Sequence, residues 1–296
     1  MRGAAGDWIL RATTGASVAL VLGLMLVVLS QVVWLGAPHV DVDLLTTDAH
    51  GDLTGGGIWP AIYGTVLLTL LMTVAVVPLG VCTGIYLAEY ADPAARLTKL
   101  TRAAVVNLAG VPSIVFGLFG LGFFILFIGR GMDEALHDGA PVWGKPAVLW
   151  SSLTLAILTL PVVIVTTEEA LRSVPRDLRD AAEALGATRF QAVFSVALPH
   201  ARAGILTGVI LAVSRGAGEV APIIFTGAAT YLPELPTDLR DMYMHLGHHV
   251  YTLSTQAPNV DDARATLYAT VLVLLAITFT LNLTAIVIRS RSRRHP

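Results

Sequence analysis

Apolar residues dominate six long stretches of the chain, and shorter polar stretches separate them. The apolar stretches cover residues 16–36, 60–88, 103–128, 147–167, 201–226 and 265–288. Each is about 18 residues or longer, which is the length that a helix needs to cross a membrane. Pro and Gly interrupt some of them, and spanning helices tolerate both. The pattern predicts an all-α membrane protein with six transmembrane helices.

The composition agrees with a membrane protein. The chain has 296 residues, of which 55% are apolar and 14% are charged. A soluble domain usually carries about 25% charged residues. The first apolar stretch is longer than a secretory h-region of about 7–15 residues, so we expect it to be a retained span. Cys82 is the single cysteine, so it cannot form a disulfide within the chain.

Basic residues favour one orientation in the membrane. With the N-terminus inside, the inner segments hold 14 of the 19 Lys and Arg residues and the outer segments hold 4, while Arg215 lies within a span. The positive-inside rule then places both termini in the cytoplasm. The expected divisions are residues 1–57, with the first span and a periplasmic loop, residues 58–288, with the other five spans, and a basic cytoplasmic tail over 289–296.

The inner loop 168–200 has a helical pattern of its own. Gly186 can end a first short helix, and a second can begin near Thr188 and run to about Val196, where Pro199 should stop it. The first helix carries apolar residues on one face at i, i+3, i+4 and i+7, namely Leu178, Ala181, Ala182 and Leu185. Two short helices joined at a glycine form a rigid element on which a cytoplasmic partner can dock.

The same loop carries a spaced motif. It reads Asp180-Ala181-Ala182, then Gly186, then Val196-x-Leu198-Pro199. This spacing resembles the EAA signature of ABC-importer permeases, with Asp in place of Glu and Val in place of Ile. The resemblance implies the type I ABC importer permease fold with short cytoplasmic coupling helices. The residues that it implies for ATPase docking are Asp180, Ala181, Ala182, Gly186, Leu198 and Pro199. On periodicity alone, an ordinary amphipathic helix at the membrane surface is the alternative.

The sequence contains no ATP-binding motif of the form G-x4-G-K-[ST]. If ATP drives transport, a separate ATPase subunit must therefore bind the ATP and the Mg²⁺. We expect this chain to be a permease subunit that is not itself an enzyme and that holds no cofactor.

Two ionisable residues, Arg215 and Glu219, lie within the fifth apolar stretch. A charge at the centre of a bilayer costs roughly 2.5–3.5 kcal/mol on insertion scales, so such residues are candidates for function. Their i, i+4 spacing predicts one helix face, in the charge order that stabilises a helix less. A guanidinium offers planar donors that suit phosphate, which makes the pair a candidate substrate gate. The alternative is an ion pair that holds helices together.

Further stretches resemble one family of permeases closely. They are GVPSIVFGLFG over 110–120, LPVVI over 160–164 and RGAGEVAPIIFTG over 215–227. They are similar to the A-type (PstA-type) permease of the phosphate-specific ABC importers, and the similarity covers roughly 58–288. It implies phosphate as the substrate and a place in the bacterial inner (plasma) membrane. It also implies a second, PstC-type permease, two cytoplasmic PstB-type ATP-binding subunits and an extracytoplasmic PstS-type phosphate-binding protein, with no role for nucleic acid.

Weaker signals concern single polar residues. Asn107, expected at the head of the third span, and Ser113 are candidates for the substrate pathway with Arg215 and Glu219. A histidine cluster in the last outer loop comprises His245, His248 and His249. Imidazole is a common metal ligand, but polar loop residues beside a binding protein are the favoured interpretation, and no metal site is predicted.

Two other functions remain open from the residues alone. The chain could be the permease of another oxyanion importer, for sulfate, molybdate or phosphonate. It could also be a secondary transporter that uses Arg215 and Glu219 as a proton relay. The sequence leaves open whether the chain pairs with a distinct permease or with a second copy of itself.

Overall fold

The computed structural model describes residues 3–48, 56–232, 234–257 and 259–292. Six of its helices are long and apolar enough to cross a membrane: Leu10–His39, Trp59–Tyr90, Ser113–Leu136, Val148–Arg172, Arg189–Ala217 and Ala263–Thr284. The part of the chain that the structure describes contains no β-strand. The predicted fold, an all-α membrane protein with six spans, is confirmed.

The α-helices in chain order are α1 (Gly3–Gly36), α2 (Val42–Thr46), α3 (Trp59–Ile85), α4 (Arg96–Ala109), α5 (Ser113–Phe119), α6 (Arg130–Leu136), α7 (Val148–Arg172), α8 (Arg176–Ala184), α9 (Arg189–Ala192), α10 (Leu198–Ala217), α11 (Ala221–Ile224), α12 (Leu246–Gln256) and α13 (Val260–Ser292). Three π-helical segments extend them without a break: Tyr86–Tyr90 after α3, Gly120–Gly129 between α5 and α6, and Val193–Ala197 between α9 and α10.

Three spans form the centre of the protein. α7 packs against both α3 and α10, and two-thirds of its most apolar stretch is buried. Leu68, Met72, Leu155 and Val163 are fully buried between these helices. α1 is the opposite case, because it packs along α13 and leaves nearly all of its apolar surface exposed. A helix that is apolar on every side and barely covered by protein is suited to face lipid.

Small residues let α3 and α7 approach each other closely. We expect Gly80→Val to destabilise the protein, because a Cβ at Gly80 would lie 2.6 Å from Cγ1 and 2.7 Å from Cβ of Val163. Overpacking of this kind costs about 1–3 kcal/mol, so the purified variant should unfold at a lower temperature. Gly23→Val on α1 is the control, since nothing lies within 4 Å of that position. Equal melting temperatures for the two variants would contradict this packing.

The third span begins later than predicted. The expected start at residue 103 is wrong, because 96–109 belong to the separate helix α4 and the span begins at Ser113. The chain turns at Gly110-Val111-Pro112, where Pro112 has ψ of 139°. Proline also pushes the residue before it out of the helical region. Asn107 therefore lies on α4 and not at the head of the third span.

The fifth span differs from the prediction at both ends. Pro199 does not stop the second short helix, because α9 continues through the π-helical segment into α10. Pro199 is the second residue of α10 and directly follows the π-helical segment, so it lies inside a continuous helix at the point where the helical geometry changes. The expected end at residue 226 is also wrong, since α10 ends at Ala217 with Gly218 as its cap. The last four residues of the predicted tail, 293–296, lie outside the described residues.

Candidate functional site

The predicted cytoplasmic element consists of α8 and α9 with a sharp bend between them. Gly186 has a φ of +90°, a conformation that favours glycine. The Gly186 N–H donates to Glu183 O at 2.9 Å, and the Ala187 N–H donates to Ala182 O at 3.1 Å. These two bonds form a Schellman motif, which satisfies the last carbonyls of α8. The prediction that Gly186 ends the first helix is confirmed.

Thr188 begins the second helix through a capping box. Its side chain accepts a hydrogen bond from the Gln191 N–H, and the Gln191 side chain accepts one from the Thr188 N–H at 2.8 Å. The two caps fix the ends of both helices on either side of Gly186. The bend is therefore rigid on both sides, as a docking element requires.

The docking residues predicted from the motif occupy two places. Asp180, Ala181 and Gly186 are exposed and Ala182 is half-buried, all on α8 or its bend. Leu198 and Pro199 lie in the first turn of α10, which directly continues the second short helix. The exposed surface also includes Leu185, whose side chain is 91% exposed at the end of α8.

We expect a cysteine at Leu185 to report the side of the membrane and the docked partner. In a Cys82→Ser background, Leu185→Cys should resist an impermeant thiol reagent in intact cells, because the positive-inside rule places this loop in the cytoplasm. It should label in opened membranes stripped of the ATPase, and the bound ATPase should protect it. Thr188 is a poorer choice because its side chain caps α9. Labelling in intact cells would overturn the orientation and the docking assignment together.

Arginines connect the ends of the spans near α8 and α9 to these two short helices. Arg179 donates to Glu89 Oε1 at 2.7 Å and to the carbonyls of Leu171 and Val174 at 2.7 and 2.9 Å. Arg189 donates to the backbone carbonyl of Glu89 and lies over the ring of Tyr90. No local sequence pattern marks this cluster, because Glu89 lies 90 residues from Arg179 and 100 residues from Arg189 in the chain.

A second cluster lies beside the first. Glu168 near the end of α7 accepts a hydrogen bond from Arg102 of α4 at 2.9 Å and forms an ion pair with Arg172 at 2.7 Å. Both clusters border one cavity of about 720 Å³, which is lined by arginines on α4, α7, α8 and α9. The cavity lies next to the predicted docking residue Asp180.

The predicted intramembrane pair forms, but not on one helix face. Arg215 Nε lies 3.4 Å from Glu219 Oε1, and the side chains are 41% and 19% exposed. Arg215 belongs to the last turn of α10, whereas Glu219 follows the end of that helix. A Cβ on Gly216 would press into the side chain of Met72, near the middle of α3. The pair therefore lies about halfway along the neighbouring spans.

The other two pathway candidates lie apart from each other. Ser113 is the first residue of α5, and α5 contacts α11 directly after Glu219. A Cβ on Gly117 of α5 would lie 2.9 Å from Pro222 Cα. Ser113 thus lies on a helix that touches α11, which begins two residues after Glu219. Asn107 is exposed on α4, which packs on α7 instead.

One polar contact next to Arg215 was not predicted. The Ser214 hydroxyl donates to Oδ1 of Asn282 on α13. Asn282 stands in an otherwise apolar stretch, and that signal could have marked it in the sequence. Polar side chains within spans commonly hydrogen-bond across helices. This contact joins α10 to α13 one residue before the charge pair.

The histidine cluster is buried, contrary to the prediction of polar loop residues. His245, His248 and His249 are at most 6% exposed, and α12 begins directly after His245. Burial lowers the pKa of His245 to about 3 and that of His249 to about 4, and the nearby His248 contributes. In the described ranges, no three His, Cys, Asp or Glu side chains are grouped as metal ligands. The cluster is packed inside the segment between the last two spans.

A family comparison agrees with this arrangement. Residues 80–294 match the family described as "Binding-protein-dependent transport system inner membrane component". The chain belongs to this family. The match covers the end of the second span and all of the last four spans, and it includes both short helices α8 and α9. Members of this family are inner-membrane permease components, so the chain is a multi-pass membrane permease.

Relatives of known name support the same assignment. The chain is 33% identical to "Phosphate transport system permease protein PstA 1" of Mycobacterium tuberculosis strain H37Rv, over 81% of this chain and 73% of the relative. It is 36% identical to "Phosphate transport system permease protein PstA" of Pasteurella multocida, over 64% of this chain and 62% of the relative. It is also 33% identical to "Probable ABC transporter permease protein YqgI" of Bacillus subtilis, over 73% and 68%.

Solved structures share the fold. A chain of a bacterial alginate ABC transporter has a TM-score of 0.69 at 16% identity, over 95% of this chain and 93% of that one. A chain of the inward-facing MetNI methionine ABC transporter has a TM-score of 0.62 at 18% identity, over 79% and 97%. These permeases confirm the predicted type I ABC importer fold.

Proposed function

We propose that this chain is the PstA-type permease subunit of an ATP-driven importer of inorganic phosphate. The observation that carries the proposal is the similarity to phosphate permeases named PstA over most of the chain. The site is chemically consistent with it. Arg215, halfway along the spans and partly exposed, offers a planar set of donors that suits a tetrahedral oxyanion.

The proposed complex has four kinds of subunit. A PstC-type permease forms the translocation pathway with this chain, two PstB-type ATPases bind ATP and Mg²⁺, and a PstS-type protein delivers phosphate from outside. The ATPase docks on α8, the bend at Gly186 and the beginning of α10. The chain itself holds no cofactor, and both of its termini lie in the cytoplasm.

The charge pair acts as a gate in this scheme. Glu219 holds Arg215 in place when no substrate is present and accepts a hydrogen bond from a protonated phosphate oxygen as it passes. Arg215 lies at the C-terminal end of α10, where the helix dipole favours a cation. Ser113 and Asn107 line the route on α5 and α4.

The oxyanion could instead be sulfate, molybdate or phosphonate, because a guanidinium binds all of these. Transport by purified complexes in proteoliposomes separates the possibilities. We expect uptake of labelled phosphate that requires ATP inside and the binding protein outside, and that excess sulfate does not reduce. Uptake driven by a proton gradient without ATP would contradict the proposal and favour the secondary transporter. If sulfate competed as strongly as phosphate, the assignment of phosphate as the substrate would be wrong.

A further inference from the structure

Glu89 receives an arginine from each of the two short cytoplasmic helices. Its carboxylate accepts from Arg179 of α8, and its backbone carbonyl accepts from Arg189 of α9. The ion pair is shielded, since the Arg179 side chain is 15% exposed and that of Glu89 is 10% exposed. We call Glu89, Arg179 and Arg189 the arginine junction.

The junction has the geometry of a rigid joint. Arg179 divides its donors between Glu89 and the carbonyls of Leu171 and Val174 at the end of α7. Its planar guanidinium therefore fixes α8 against two spans at once. Arg189 adds a contact to the ring of Tyr90 at 5.5 Å from the ring centroid. Both sides of the Gly186 bend are thus held at one residue of the second span.

The second span leads from the junction to the charge pair. The π-helical turn Tyr86–Tyr90 continues α3 without a break, so Glu89 is at the cytoplasmic end of one long helix. Met72, about halfway along α3, packs on Gly216 beside Arg215. Towards the outer end of α3, Thr65 accepts a hydrogen bond from the Leu246 N–H at 2.9 Å. A shift of Glu89 along α3 therefore reaches both the pair and the outer segment.

We propose that the arginine junction is the positioning element that transmits movement of the two ATPase-docking helices to α3, and so to the Arg215–Glu219 pair. Glu89 acts through Arg179 and Arg189 and does not touch the substrate. The inference rests on the proposed function, because it needs an ATPase that moves α8 and α9. Beyond the proposed function, the inference names Glu89 as the residue through which that movement reaches the second span.

The test measures coupling and not only activity. Complete complexes with Glu89→Gln or Arg179→Gln should assemble and hydrolyse ATP, while the amount of phosphate moved per ATP falls roughly 2- to 30-fold, the range for residues that carry coupling between sites. Arg172→Gln is the matched control, because it removes another cytoplasmic ion pair while Arg102 still holds Glu168. The control should keep the wild-type ratio of phosphate to ATP.

A reversible crosslink separates transmission from simple stability. In a Cys82→Ser background, Glu89→Cys with Arg179→Cys removes the ion pair and should uncouple. A short bifunctional thiol reagent with a reducible linker should restore the ratio, and reduction should remove it again. A wild-type ratio in the neutral variants overturns the inference. The inference is also overturned if the crosslink fails to restore coupling or if every variant loses assembly. Either result would give the junction a structural role only.

The two proposals fail differently. If wild-type complexes move no phosphate under any condition, the substrate assignment is wrong. If wild-type complexes move phosphate and the junction variants match them, only the transmission role is wrong.

Discussion

Arg215→Gln is expected to abolish phosphate uptake while the complex still assembles. The pair is partly exposed, so losing it costs less than the roughly 3–5 kcal/mol of breaking a fully buried pair. The folded protein should therefore survive, whereas the planar donors for the oxyanion are gone. Uptake in proteoliposomes and the amount of co-purified ATPase are the two measurements.

Conservative changes at the pair sharpen the test. Arg215→Lys keeps the charge but loses the planar fork, so uptake should fall without a loss of assembly. Glu219→Gln should reduce uptake less if the carboxylate only orients the guanidinium. If the pair only holds helices together, the double variant Arg215→Gln, Glu219→Gln should recover assembly and uptake. Near-normal uptake in the double variant would therefore rule out the gate.

Gly186→Val is expected to uncouple transport from ATP hydrolysis or to release the ATPase. Gly186 has a φ of +90°, and nothing lies within 4 Å of an added Cβ. The cost of the substitution is therefore backbone strain alone. It amounts to about 1–3 kcal/mol, because a β-branched residue strongly disfavours this conformation. The bend between α8 and α9 should open, so ATPase co-purification and phosphate moved per ATP should both fall.

Gly186→Asn is the control for that variant. Asn tolerates positive φ better than other non-glycine residues, so it should keep much of the coupling although it adds a larger polar side chain. Wild-type uptake and ATPase binding in Gly186→Val would show that the bend has no part in docking. Equal loss in both variants would point to the added side chain and not to the backbone.

The number of spans was predictable because long apolar stretches are a local property of the chain. The ends of the spans were less predictable, because each end depends on a few residues whose effect changes with their surroundings. Pro199 was expected to stop a helix and instead lies inside one, directly after the π-helical segment that joins α9 to α10. Pro112, in contrast, does mark a break, and this break removes residues 103–112 from the third span.

The two short helices α8 and α9 were predictable from the local sequence, and the tertiary contacts behind them were not. Gly186 and Thr188 act within a few residues of themselves, so their roles as helix end and helix start could be read directly. Glu89 meets Arg179 across 90 residues of sequence, and no local pattern indicates that pairing. His245 is buried for the same reason, because the segment around it packs on the distant helix α3, where the Leu246 N–H donates to Thr65.

The place where α10 ends also bears on how the protein enters the membrane. The fifth span is the least apolar of the six in the described residues, and it carries Arg215 in its last turn. It is therefore the span least able to partition into lipid alone. Because Gly208 and Gly216 have no side chain, this span packs closely on Thr166 of α7 and Met72 of α3. Both of those helices precede it in the chain, so during synthesis the weakest span emerges after the neighbours that shelter it.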